Sequence, residues 1–180
     1  MKKAILILVV ICVLFSAAGC AAVIDPESVF TSKEVVFTID DYQLQITADE
    51  TFEENTGGAF DLQLTNKKSY ISVMAYKYMD LPEGMTTQDV YKMQNEDLFS
   101  KRTAVTAVEE VKTQTLSQKS ITYATYSAEK DGVKNYYVTY LVDIPQEETF
   151  AWVLVTAAPS YMDHNQEYLH NIVCSLTSNG

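Results

Sequence analysis

Three cysteines, two histidines and a large excess of carboxylates are the side chains in this 180-residue chain whose types could do chemistry. Cys20 has the most informative surroundings: Ala17-Ala18-Gly19 stand directly before it, and the apolar run from Ala4 to Phe15 stands before those. Cys174 falls on or beside the apolar face of the last expected helix, where a buried, inert thiol is expected rather than a nucleophile. His164 and His170 are six positions apart on that helix, about 600° round its axis, and so do not easily share a metal. They are expected on the surface. Carboxylates gather at Asp40-Asp41, at Asp49, Glu50, Glu53 and Glu54, and at Glu147-Glu148. None of these shows the alternating spacing of a calcium loop, so a solvated acidic face is expected. G-x-S-x-G is absent, and Gly57-Gly58 is not followed by the Lys-Ser or Lys-Thr of a phosphate cradle. No catalytic, cofactor-binding or metal-binding residue is assigned, and the chain is expected not to be an enzyme.

Met1-Lys2-Lys3, the short apolar run and the small-residue end together describe a secretory signal peptide. The run is about half of the roughly 20 residues a spanning helix needs, although counting on to Ala18 or Ala22 leaves an uncleaved anchor open. Ala17-Ala18-Gly19-Cys20 resembles the lipobox of bacterial lipoproteins, with Ala17 where the motif usually has Leu. That resemblance implies diacylglycerol on the Cys20 thiol, cleavage before it, and acyl chains such as palmitate holding the protein to the membrane. An ordinary secretory signal, cut after Ala18 or Gly19, is the alternative, and a Cys20–Cys174 disulfide is conceivable in an oxidising compartment. The expected divisions are a lipoprotein signal peptide over 1–19, a lipidated tether over 20–33 and a single domain over 34–180. Thirteen extended residues of tether reach about 40 Å at most. Val29 and Phe30 could alternatively fold back as an edge strand.

Losing Lys2 and Lys3 with the leader takes the formal charge from −11 to −13. Such a surface repels nucleic acid and anionic headgroups, which argues against DNA-binding and peripheral-membrane roles. Residues 20–180 are enough for one domain with its own core.

Hydrophobic alternation places strands at 35–39 and 42–47 around an Asp40-Asp41 turn, and at 60–64 and 70–78 around Asn66-Lys67-Lys68-Ser69. Ile71, Val73 and Ala75 oppose Ser72, Met74 and Tyr76, so this part of the sheet needs cover on both faces. Thr86 and Asp89 fit a capping box for a helix to about Ser100, with Val90, Met93, Asp97 and Leu98 as its stripe. Residues 105–116 read as one strand, which could bend. Residues 120–158 read as a three-stranded antiparallel meander, turning at Asp131-Gly132 and at Pro145–Glu148. Ser160 and Asp163 suggest a capping box for the last helix, with Met162, Leu169, Ile172 and Val173 on one face.

This order of elements resembles the PsbP-like superfamily, in which DcrB-type bacterial lipoproteins also fall. Tyr42-Gln43-Leu44-Gln45-Ile46-Thr47 matches its opening strand and Ile172-Val173-Cys174-Ser175-Leu176 its closing tail. The family's Pro-x-x-Trp after the first strand is missing, and Phe52 is the candidate substitute for that Trp. The resemblance implies an α+β fold, an antiparallel β-sheet flanked by helices in an α/β/α sandwich. It also implies a binding or assembly module, with no binding residue to carry over.

Twelve tyrosines, seven of them at sheet positions (Tyr76, Tyr78, Tyr123, Tyr126, Tyr136, Tyr137 and Tyr140), are either packing or an interaction surface. The expected function is a lipid-anchored module on the extracytoplasmic face of the cell membrane, held through Cys20, that binds an envelope protein or surface polymer. The alternative is a small-ligand or cation receptor for a transporter. A flat Tyr-rich patch would favour the first, and a deep pocket with convergent polar groups the second.

Overall fold

The structure, a computed structural model, describes residues 33–179. The leader, Cys20, the tether up to residue 32 and the possible strand at Val29–Phe30 lie outside the described residues.

The chain opens with β1 (Glu34–Ile39) and β2 (Leu44–Asp49), joined by a 3-10 turn at Asp40–Tyr42. Gln43 closes that turn with φ 53°, while Leu44 and Ile46 of β2 are fully buried. Short β3 (Glu53–Glu54), β4 (Leu62–Thr65) and β5 (Ser69–Lys77) follow. The β4–β5 turn is set by Asn66, whose Oδ1 accepts from the backbone N–H of Lys68 and Ser69 at 3.1 and 2.9 Å. Helix α1 (Thr87–Ser100) starts at the expected capping box, with Thr86 and Asp89 each bonded to the other's backbone N–H. Then come β6 (Thr103–Ala107), β7 (Lys112–Leu116), β8 (Lys119–Lys130), β9 (Val133–Ile144), β10 (Thr149–Ala157), α2 (Pro159–Cys174) and β11 (Thr177–Ser178).

The large sheet runs β3-β4-β5-β10-β9-β8, with β6 and β7 sharing the outer edge of β8, and a small sheet runs β1-β2-β11. All pairings are antiparallel. Alternation along β5 and β10 divides the core into two layers. Ile71, Val73, Ala75, Ala151, Val153 and Val155 face α2 and the small sheet. Met74, Tyr76, Phe150, Trp152 and Leu154 face α1. The architecture is therefore the expected α+β sandwich, one helix on each side of an antiparallel sheet, and the meander of β8, β9 and β10 is present. Asp131 and Gly132 both have positive φ, 53° and 76°, the conformation that makes Asp-Gly suit a two-residue hairpin.

Several local expectations need correction. The segment 105–116 is two strands, broken between Ala107 and Lys112, each pairing with a different half of β8. The buried face of α1 is Val90, Tyr91 and Leu98, while Met93 is 46% exposed and Asp97 is exposed. Ser160 does not cap α2. The cap position is Ala158, with no side-chain bond, and Pro159 takes the first helical position, where its missing N–H costs nothing. Two strands of two residues, β3 and β11, carry too little alternation for the sequence to announce them.

Candidate functional site

Helix α2 lies against the sheet through Met162, Leu169, Ile172 and Val173, all buried, as its periodicity requires. Residues offset from that stripe project sideways toward the hairpin of β7 and β8. Between helix and hairpin runs a cleft of about 1010 Å³, with Gln114, Leu116 and Lys119 on the hairpin side and Glu167, His170 and Cys174 on the helix side. A smaller recess of about 450 Å³ adjoins it, where Glu109, Tyr123 and Tyr140 meet the same helix.

Three polar ends converge in the cleft wall. His170 Nε2 lies 2.9 Å from Gln114 Nε2, and Cys174 Sγ lies 3.3 Å from both of them. The imidazole is held in orientation by the rings of Tyr123 and Tyr140, whose centroids are 4.8 and 5.7 Å away. Lys119 reaches across the end of the cleft and donates to the carbonyl oxygens of Cys174, the last residue of α2, and of Leu176, just beyond it.

Burial sets the protonation states. It lowers the His170 pKa, against which Glu167 acts weakly, and it raises the Cys174 pKa against the lowering effects of Lys119 and Gln114. The Lys119 ammonium is likewise held below its ordinary value by burial. A neutral thiol beside a neutral imidazole is not the thiolate–imidazolium pair of a cysteine nucleophile. Such a wall can take hydrogen bonds or soft ligands.

The other expected residues fall as follows. His164 is exposed on the cleft rim, whereas His170 is half-buried, which corrects its placement on the surface. Cys174 is half-buried and hydrogen-bonded rather than sealed in the core. Asp40, Asp41, Glu50, Glu53, Glu54, Glu147 and Glu148 are exposed, as a solvated acidic face requires. Asp49 departs from that group: it is 8% exposed, accepts from Thr51 N–H at 2.8 Å and takes the Tyr168 hydroxyl. Among the described residues no three His, Cys, Asp or Glu side chains gather round one point. Phe52, the candidate substitute for the missing Trp, is buried and lies 6.4 Å from the Tyr168 ring.

Of the seven tyrosines expected in the sheet, Tyr78 instead opens a 3-10 turn just after β5; all seven are buried or half-buried, and the rings of Tyr76, Tyr78, Tyr123, Tyr126, Tyr137 and Tyr140 lie against Phe150, Phe99, His170 or one another, so they form no flat aromatic patch. The sequence signal for the cleft was weak but present. His170 and Cys174 are four apart on one helix, a spacing that places them on one face. Gln114, 56 residues away on β7, had no local signal.

No protein-family model and no curated protein sequence matches the chain. Solved structures do. The cyanobacterial PsbP (CyanoP) of Synechocystis superposes with a TM-score of 0.61 at 8% identity, covering 84% of this chain and 95% of its own. The Ran-binding protein Mog1p of Saccharomyces cerevisiae does so at 0.54 and 11% identity, covering 83% and 97%. A protein of Bacteroides thetaiotaomicron gives 0.51 at 8% identity, with coverage of 84% and 50%. At such identities the likeness is one of fold: the described domain has a PsbP-like fold.

Proposed function

We propose that the chain is a lipid-anchored, non-enzymatic binding module on the extracytoplasmic face of the membrane, a receptor that takes a small polar ligand in the cleft between α2 and the β7–β8 hairpin. The observation that carries the receptor part is the cleft itself, with Gln114, Lys119, His170 and Cys174 converging in its wall beside apolar Leu116 and Ile144. Specific ligand sites combine such an apolar lining with a few placed polar groups. Support for the anchor comes from Cys20 and the three small residues before it. Among the described residues no helix is long and apolar enough to cross a membrane; in this reading acyl chains on Cys20 do the holding. The non-enzymatic reading rests on the neutral Cys174–His170 pair and on the fold shared with CyanoP and a Ran-binding protein.

A second reading, an assembly module for an envelope protein or surface polymer, is favoured by one surface. β6 is exposed along its whole length at the sheet edge; Val105 within it and Val108 and Val111 just after it are 41, 46 and 60% exposed. An exposed strand edge can pair with another chain.

Intact mass of membrane-extracted protein, beside a Cys20→Ala variant, tests the anchor. Residues 20–180 plus acyl chains, lost in the variant, is the expected result; an unlipidated chain or one retaining its leader would overturn it. Thermal-shift screening against small envelope metabolites tests the cleft. Loss of binding in Asn171→Trp, which fills the cleft, with retention in Val108→Glu, supports the receptor. The reverse pattern in a cross-linking assay supports the assembly module.

A further inference from the structure

We propose that Cys174 Sγ, His170 Nε2 and the Gln114 side-chain amide form one face of a tetrahedral site for a thiophilic divalent cation of the Zn²⁺ class, with the fourth position open to the cleft. The three atoms make a triangle with sides of 2.9, 3.3 and 3.3 Å. Bonds of about 2.3 Å to sulfur and about 2.0–2.2 Å to nitrogen or oxygen place tetrahedral donors roughly 3.3–3.6 Å apart. The observed triangle thus closes on an ion with shifts of a few tenths of an ångström. Sulfur, imidazole nitrogen and one neutral oxygen are donors that suit Zn²⁺ and disfavour Mg²⁺ or Ca²⁺, which want oxygen throughout.

The absence of a third His, Cys or acidic side chain is met by the glutamine. Its Nε2 now points at His170 and Cys174, and turning the amide over presents Oε1 to the same place. His170 already accepts at Nε2 when Gln114 donates to it, so its proton sits on Nδ1 and the metal-binding lone pair needs no change of tautomer. The Tyr123 and Tyr140 rings hold that imidazole in place, and helix geometry brings the thiol alongside it. When the metal–sulfur bond forms, the thiol proton leaves to solvent and nothing is oxidised or reduced. All three residues line the cleft, so water or a ligand atom arriving through it completes the tetrahedron. The proposal deepens the receptor reading by naming a cation as what the cleft wall takes, and depends on that reading only for the identity of the fourth ligand.

The test uses the full mature chain extracted from membranes, titrated with Co²⁺ as a spectroscopic probe and then with Zn²⁺. One Co²⁺ per chain, with the intense visible bands of a tetrahedral site and a sulfur-to-cobalt charge-transfer band, displaced by one equivalent of Zn²⁺, is the expected result. Affinity falls by at least about a hundredfold in Cys174→Ser and in His170→Gln, and by about tenfold in Gln114→Ala. A weak octahedral spectrum in the wild type, or unchanged affinity in Cys174→Ser, overturns the site. Should both ligand variants fail to fold, the wild-type spectrum decides alone, because an octahedral, sulfur-free signal excludes this donor set. A tetrahedral sulfur-ligated signal supports the site even where no cleft ligand is found in screening. Its absence sinks the site even where such a ligand binds, so the two readings fail separately.

Discussion

Ser175 Oγ accepts the backbone N–H of Thr47 at 2.8 Å and so ties the end of α2 to β2 across 128 residues of chain. β11 pairs with β2 only at Leu44 and Gln45, and the serine side chain takes over where the strand would otherwise have continued. Its hydroxyl hydrogen is directed to carbonyl oxygens of Ile172 at 2.6 Å and Thr47 at 3.1 Å. Replacing Ser175 by Ala strips the Thr47 N–H of its partner in a half-buried setting, a change expected to cost about 1–3 kcal/mol. Urea unfolding checks this: the midpoint should fall while the slope stays unchanged.

The single tryptophan gives a second, spectroscopic test. Trp152 is 2% exposed beneath α1, and its indole N–H donates to Asn95 Oδ1 at 3.0 Å. Asn95→Leu keeps the volume but orphans the indole nitrogen, so stability should drop by about 1–3 kcal/mol. Fluorescence of Trp152 should change in the folded state, because the hydrogen bond is its polar contact with the helix. Unaltered emission and stability would mean that the bond contributes nothing.

How much of this was legible in the sequence follows from the range of each interaction. The β8–β9–β10 meander was readable because alternation and turn chemistry are local: Asp131-Gly132 and Pro145–Glu148 mark the corners without reference to anything distant. The two layers of the core were also readable in outline, since Ile71, Val73 and Ala75 alternate with residues equally in need of cover. The β6–β7 break was not, because both halves carry the same Thr- and Val-rich composition and only their pairing with different parts of β8 separates them. Asp49 looked like one more surface carboxylate, and its burial depends on Tyr168, 119 residues on. The cleft lay beyond sequence reading for the same reason. One wall is a helix whose His170–Cys174 spacing was visible, and the other is a strand that only the sheet topology brings opposite it.

At the start of α1 a local prediction can be made with a pH signature. Thr86 and Asp89 form the capping box, and the bonds from Thr86 hold the Asp89 carboxyl below its ordinary pKa. A depressed carboxylate pKa contributes stability above its unfolded value that is lost as pH falls through the folded one. Thr86→Ala should cost about 1 kcal/mol near neutral pH. The difference between variant and wild type should shrink in acid, as thermal melts at a series of pH values would show. A difference that stayed constant down to the acid limb would remove Asp89 from the explanation.

Alkaline conditions should expose the buried tyrosines. Tyr78 donates to Asp143 and Tyr168 to Asp49, and both hydroxyls are raised above their ordinary pKa by burial first and by those carboxylates second. Tyr140, 1% exposed, is raised chiefly by burial. A folded pKa above the unfolded value of about 10 means that the native state holds the proton more tightly. The stability these groups contribute is therefore complete below about pH 10 and declines as pH rises beyond it. Lys119, lowered by burial, acts in the opposite direction, with stability gained as pH rises through its folded value. In an alkaline titration, the tyrosinate absorbance of Tyr78, Tyr140 and Tyr168 should appear only together with loss of circular dichroism. Tyr78→Phe and Tyr168→Phe should each flatten the alkaline fall in stability, because neither variant has that proton to lose. Titration of every tyrosine at its ordinary value while the dichroism stays native would contradict the burial of these rings.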